Sequence, residues 1–219
     1  MKNLKTYILP ISSLFLSITF LAIGYGIMIT YIGVYLKQAG VSSFSIGLIN
    51  SAFFLGAIAS SIFSQKIIST IGHIRSFASF AALMVIAFLL HSIYLNEFFW
   101  GFLRLISGFT FYALLIIVES WLNEKSSNSQ RGQILAIYTI IFYLSTALGQ
   151  LFLTIPKDSE FFVFTVGSVL VLFSLITIAM TKIKEPILKP FEQYSFPKLY
   201  SREPLIINYQ EHFSNLSRN

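Results

Sequence analysis

The chain has 219 residues, of which 55% are hydrophobic, 11% are charged and none is cysteine, and its formal net charge is +6. A soluble domain carries about 25% charged residues, so this composition, with a mean hydropathy of +0.75, excludes one and marks an integral membrane protein. The missing cysteines exclude disulfides, cysteine-ligated metals and thiol catalysis.

Crossing about 30 Å of hydrocarbon takes about 20 helical residues, and six apolar runs are that long: 8–36, 43–65, 77–95, 98–122, 134–155 and 161–181. Together they predict an all-α, six-helix membrane bundle over residues 1–181. Span 1 follows Lys2 and Lys5 but lacks a small-residue cleavage site, so it reads as a retained helix and not a removed signal peptide. Its Gly24-Tyr25-Gly26 is read as a kink or close-packing point, and Tyr25 as a candidate cavity residue. Span 2 carries Asn50 near one end, then Ala52, Gly56, Ser60 and Ser64 at four-residue spacing, a small-residue face that lets another helix backbone approach closely. Span 3 carries His91. Connections such as Asn96 to Glu97 are short, which predicts that successive helices are antiparallel neighbours.

Span 4 contains LRLISGFTFYALLIIVESW. Trp100 and Trp121 stand roughly 31 Å apart along a helix and are predicted as aromatic anchors at the two membrane interfaces. Between them lie Arg104, near the outer boundary, and Glu119, at the inner one, roughly 22 Å apart and unable to pair. A charge at the centre of a membrane helix costs about 2.5–3.5 kcal/mol on insertion scales, so such residues usually face a protein interior or a watery cavity. Span 5 adds Gln150. Beyond residue 181 charges and prolines take over, and residues 182–219 read as an irregular cytoplasmic tail.

Loop charges predict the orientation. Twelve of the fifteen basic residues fall before span 1, between spans 2 and 3, between spans 4 and 5 or after span 6, whereas Lys37 and Lys157 lie on the opposite side and Arg104 lies within a span. Short basic loops stay in the cytoplasm, so both termini are expected there, in a plasma (inner) membrane. Because the positive charge follows loop sidedness and forms no single basic face, no nucleic-acid partner is expected. The expected partners are the lipid bilayer and a small-molecule solute.

Two polar constellations follow. Asn50, His91, Arg104 and Gln150 all fall about one to two turns inside the outer boundary. An arginine in a low-dielectric cavity attracts a carboxylate, a phosphate or a cluster of hydroxyls. At the inner boundary, Arg75 and Arg131 lie within reach of Glu119, predicting an interfacial ion network. No catalytic or nucleotide-binding fingerprint occurs and three histidines are scattered, so neither an enzyme nor a metal or cofactor site is expected.

With these residues in place the chain resembles the N-terminal half of a major facilitator superfamily transporter, over about residues 8–205. The likeness rests on IGLINSAFFLGAIASSIF, TIGHIRS, RLISGF and ESW...RGQILAIYTIIFYLSTALGQ. It implies secondary-active transport of a small solute, in a prokaryotic sugar or drug transporter branch. The Arg104–Gly108 spacing is similar to the family's span 4 motif, whose arginine faces the cavity. Gly72 and Arg75 match its loop signature, which gates the inner side, although the usual acid and base there are Ser69 and Thr70. By that resemblance this is a half-length or truncated chain that needs a second six-helix half or a second copy. The alternative is a non-transporting remnant or membrane interaction subunit.

Overall fold

The computed structural model describes residues 11–154 and 160–186. Six helices of membrane-crossing length and apolarity appear: α1 Ser12–Gln38, α2 Ser43–Ile71, α3 His73–His91, α4 Glu97–Lys125, α5 Arg131–Phe152 and α6 Glu160–Ala179. No strand occurs among the described residues. Local chemistry sets the boundaries. Gly40, at φ +80°, turns the chain after α1, and Val41 N–H then donates to Leu36 O at 3.0 Å. Ser42 Oγ accepts from Ser45 N at 3.1 Å to start α2. Asn96 Oδ1 accepts from Phe99 N at 3.0 Å to start α4, whose first turn also carries Glu97, the favourable sign at a helix N-terminus.

The main shifts from expectation meet at one corner: α2 runs to Ile71, beyond the predicted 43–65 run, and α3 begins four residues before the predicted 77–95 run and ends four residues before its end. Gly72, at φ +93°, breaks α2 from α3 in a single residue, so the polar stretch His73–Ser76 is helix and not loop.

Helices in lipid gain little from apolar contact alone and associate by close backbone approach. The prediction that successive helices are neighbours therefore fails for most pairs. Short connections do make them antiparallel, but only α3 and α4 pack extensively as a successive pair; the other large contacts are α2 with α4, α1 with α5, α1 with α6 and α3 with α6. Glycines choose two of these partners. A Cβ on Gly56 would lie 2.0 Å from Leu105 O, and one on Gly108 would lie 1.9 Å from Phe53 O, so α2 and α4 cross at paired glycines. Gly26 and Gly149 do the same for α1 and α5, each 2.2 Å from the facing carbonyl, of Thr146 and Ile23 respectively. The predicted small-residue face of α2 is thus a packing face, with Gly56, Ser60 and Ser64 all buried.

The core includes Leu14 and Ile18 of α1, Phe53 of α2 and Phe111, Leu114 and Trp121 of α4. Ser17 Oγ lies 2.8 Å from Ser174 Oγ, joining α1 to α6. Of the expected tail, residues 182–186 are non-helical but lie against the bundle, with Ile183 packed on the core; residues 187–219 lie outside the described residues.

Candidate functional site

One face of α5 presents Phe142, Tyr143, Thr146, Ala147 and Gln150, spaced as successive turns of a helix. Opposite it stand Tyr25 and Ile29 of α1 and Phe111, Tyr112 and Leu115 of α4, lining a half-open cavity of about 580 Å³. The glycine crossing at Gly26 and Gly149 sets how closely α5 approaches α1 and brings Thr146 and Gln150 to this wall. Tyr25 is its centre: its ring stacks on Phe111 at 4.0 Å between centroids, with Phe53 at 5.9 Å and Phe142 at 6.3 Å.

Of the four predicted cavity residues, Tyr25 and Gln150 meet here. Arg104 stands one layer behind. It is 2% exposed, and its Cζ sits 4.5 Å from the centroid of the Phe53 ring. Among the described residues no carboxylate pairs with it, and its buried Nε has no hydrogen-bond partner. Asn50 is half-buried and does not join this lining. His91 also turns inward: its ring packs edge-on to Trp100 at 4.9 Å, and its Nδ1 lies 2.6 Å from Ala87 O, the donor to that carbonyl. The expected four-residue polar layer is therefore divided, because Arg104 and His91 take aromatic neighbours inside the bundle.

The predicted tryptophan anchors need a larger correction. Both side chains are fully buried. Trp100 Nε1 donates to Tyr94 O at 3.1 Å and Trp121 Nε1 donates to Lys184 O at 3.1 Å. An indole N–H needs one acceptor, and here segments flanking the helices supply it, so the rings fasten those segments from inside the bundle and present no surface to lipid headgroups.

The ion network around Glu119 does not form in this structure. Glu119 Oε1 accepts from Tyr138 Oη at 3.0 Å, and the only ion pair among the described residues joins Lys125 to its neighbour Glu124. Arg75 and Arg131 are exposed. A phenol satisfies the carboxylate without dehydrating a second charge, whereas pairing would require an arginine to leave water. The acid near Gly72 comes from elsewhere. Glu185 Oε2 accepts from His73 N at 2.9 Å and from Ile74 N at 3.2 Å, capping α3, whose N-cap glycine has no side chain to do so. His73 Nε2, 2.8 Å from Ser120 Oγ, ties the same corner to α4.

Sequence reasoning missed Phe53, Phe142, Tyr138 and Glu185. Among 23 phenylalanines and 11 tyrosines no aromatic stands out by type, although the α5 stripe was readable as a helical face. Glu185 was hidden in a segment read as tail.

The family model for the Major Facilitator Superfamily matches residues 14–206. The chain belongs to this superfamily. The "Uncharacterized MFS-type transporter YcaD" of Salmonella arizonae is 27% identical over 150 residues, covering 68% of this chain and 39% of that protein, and the protein of the same name from Salmonella typhimurium aligns equally. Its counterpart in Salmonella paratyphi A is 28% identical over 148 residues, covering 67% and 38%. The chain thus spans well under half the length of the curated relatives it matches. It is an integral multi-pass membrane protein of a transporter family, and its six helices correspond to one half of the superfamily fold.

Proposed function

We propose that the chain forms one wall of a pathway for secondary-active transport of a small solute, with the α1–α4–α5 cavity as its binding face. The observation that carries this reading is the cavity itself. Tyrosines and a glutamine line a half-open cavity in a largely apolar bundle, and polar groups on membrane-spanning helices are sustained by protein, water or a solute. Arg104 and Asn50 then belong to the supporting layer, and Glu119, Tyr138, Gly72 and Glu185 to the opposite end, which in this reading is the cytoplasmic one, as the basic loops favour, in an inner membrane.

A second six-helix body completes the pathway in this reading, whether as more of a longer polypeptide, a second copy or a separate chain. Support comes from burial: α2 and α5 bury 22% of their spans, against 39–56% for the other four. Their outward residues, including Leu55 and Leu148, are large and apolar. Alternating access by rocking one bundle against another requires two bundles. Protein purified from its own membranes is expected to carry that second body and to accumulate at least one solute in sealed vesicles under an ion gradient, an activity lost in Ala147→Trp, which fills the cavity. A solitary bundle with no uptake of any solute from a metabolite mixture would reject transport and leave a membrane interaction subunit.

A further inference from the structure

We propose that the cavity selects a flat organic anion, an aromatic or similarly unsaturated carboxylate, with Tyr25 as the direct hydrogen-bond donor and Arg104 as the opposing charge behind it. This rests on the reading of the cavity as a solute site and names its substrate class.

The lining contains no charged residue. It offers the hydroxyls of Tyr25, Tyr112 and Tyr143 and the amide of Gln150, whereas the Thr146 hydroxyl is already spent on Phe142 O at 2.8 Å. Phenol hydroxyls and a primary amide donate readily, which suits a ligand rich in acceptors. Phe111, Tyr112, Phe142 and Tyr143 provide aromatic faces and edges to receive a planar ring. The volume, about 580 Å³, falls within the range usual for small-molecule sites.

Charge then separates anions from cations. Five aromatic side chains without an acid would also accept an organic cation, but Arg104 opposes it. A single ring stands between that guanidinium and the wall: Phe53 is 4.5 Å from Arg104 Cζ, 5.9 Å from the Tyr25 ring and 6.1 Å from the Phe111 ring. Glu97, Glu124 and Glu185 lie at or beyond helix ends, and Glu119 is engaged by Tyr138. A buried cation lacking a counter-ion is unfavourable until an anion arrives, so the cavity beside it attracts a carboxylate and repels an ammonium.

Equilibrium dialysis of the full chain in lipid nanodiscs, against empty nanodiscs, tests this with benzoate, benzyl alcohol and benzylammonium, which share a ring and differ in charge. Saturable benzoate binding is expected, about tenfold or more tighter than benzyl alcohol, with benzylammonium no different from empty discs. Tyr25→Phe should weaken benzoate and barely move benzyl alcohol. Arg104→Gln should abolish the preference between the two, Arg104→Lys should retain part of it, and Ala147→Trp should remove binding. Benzylammonium binding at least as tightly as benzoate, absence of saturable benzoate binding, or a preference that survives Arg104→Gln would each overturn the proposal. If Arg104→Gln does not fold, Tyr25→Phe decides: an unchanged benzoate affinity rejects the assignment. Dialysis needs no transport, so benzoate binding without uptake sinks only the transport reading, and uptake of an organic cation sinks only the anion.

Discussion

Arg104 is held by an aromatic face and not by an acid, and the spacing to Gly108 explains how. Gly108 admits the Phe53 carbonyl to within 1.9 Å of where a Cβ would stand, and one helical turn away the guanidinium covers the Phe53 ring. The glycine seats the phenylalanine and the phenylalanine seats the arginine. Phe53→Leu removes the π face and some bulk, so it is expected to cost about 1–2 kcal/mol or more, read as a lowered thermal midpoint in detergent. The loss should shrink in an Arg104→Leu background, since the cation–π part is then already gone and only the contacts with Tyr25 and Phe111 remain to be lost. Glu119 is the second residue whose partner differs from the charge pattern's suggestion. Tyr138→Phe should cost about 1.5–3 kcal/mol, the range for a hydrogen bond to a charged group, whereas the double reversal Glu119→Arg with Arg131→Glu should restore nothing lost in either single change. Restored stability in that double variant would establish the ion pair in place of the phenol contact. Both residues were conspicuous in the sequence because charge within an apolar span is conspicuous. Their partners were not, because Phe53 and Tyr138 resemble every other aromatic residue of an aromatic-rich chain.

Among the helices, apolar length made the six spans readable, but partner choice depends on where backbones touch, which hydropathy does not encode. The stripe of Gly56, Ser60 and Ser64 was legible as a packing face; that its partner is α4 and not the adjacent α1 or α3 was not. Gly56→Ala and Gly108→Ala each put a methyl inside the van der Waals radius of a facing carbonyl, so α2 and α4 must separate. Each is expected to destabilise by about 1–3 kcal/mol or more, as overpacking does. Gly101 has open space around a Cβ, and Gly101→Ala should be neutral or stabilise α4 by up to about 1 kcal/mol. Thermal unfolding of the three variants side by side checks the contrast, and equal losses would show that backbone proximity is not the cause. The start of α3 was misplaced for a related reason: its cap comes from Glu185, 112 residues from His73 in sequence. Glu185→Ala should cost about 0.5–2 kcal/mol, and hydrogen exchange at the His73 and Ile74 amides should quicken while that of mid-helix α3 amides is unchanged. Uniform quickening along α3 would indicate that Glu185 holds the whole helix in place and does not merely cap it.

At the level of the molecule, the contact pattern is preserved when α1 is exchanged with α4, α2 with α5 and α3 with α6: α1 with α5 corresponds to α4 with α2, and α1 with α6 to α4 with α3. The paired glycines obey the same exchange, Gly26 and Gly149 answering to Gly108 and Gly56. Short connections alternate the helix directions, so the two triplets form an inverted repeat. No sequence repeat announced it, because the exchange preserves a few small residues at crossings and little else. Its structural result is that α2 and α5 each lean chiefly on one partner and leave broad apolar faces. Lipid or a second helical body can cover such a face, and apolarity alone does not choose between them. A photoreactive benzoylphenylalanine at Leu55 of α2 or Leu148 of α5, which are 59% and 58% exposed, compared with one at Ile86 of α3, 52% exposed, separates the two. If a second six-helix body completes the pathway, light should join the α2 and α5 probes to polypeptide, in the same longer chain, a second copy or a separate chain, while the α3 probe yields lipid adducts. All three probes giving only lipid adducts in native membranes would mean that α2 and α5 face the bilayer, and the two-body pathway would be rejected.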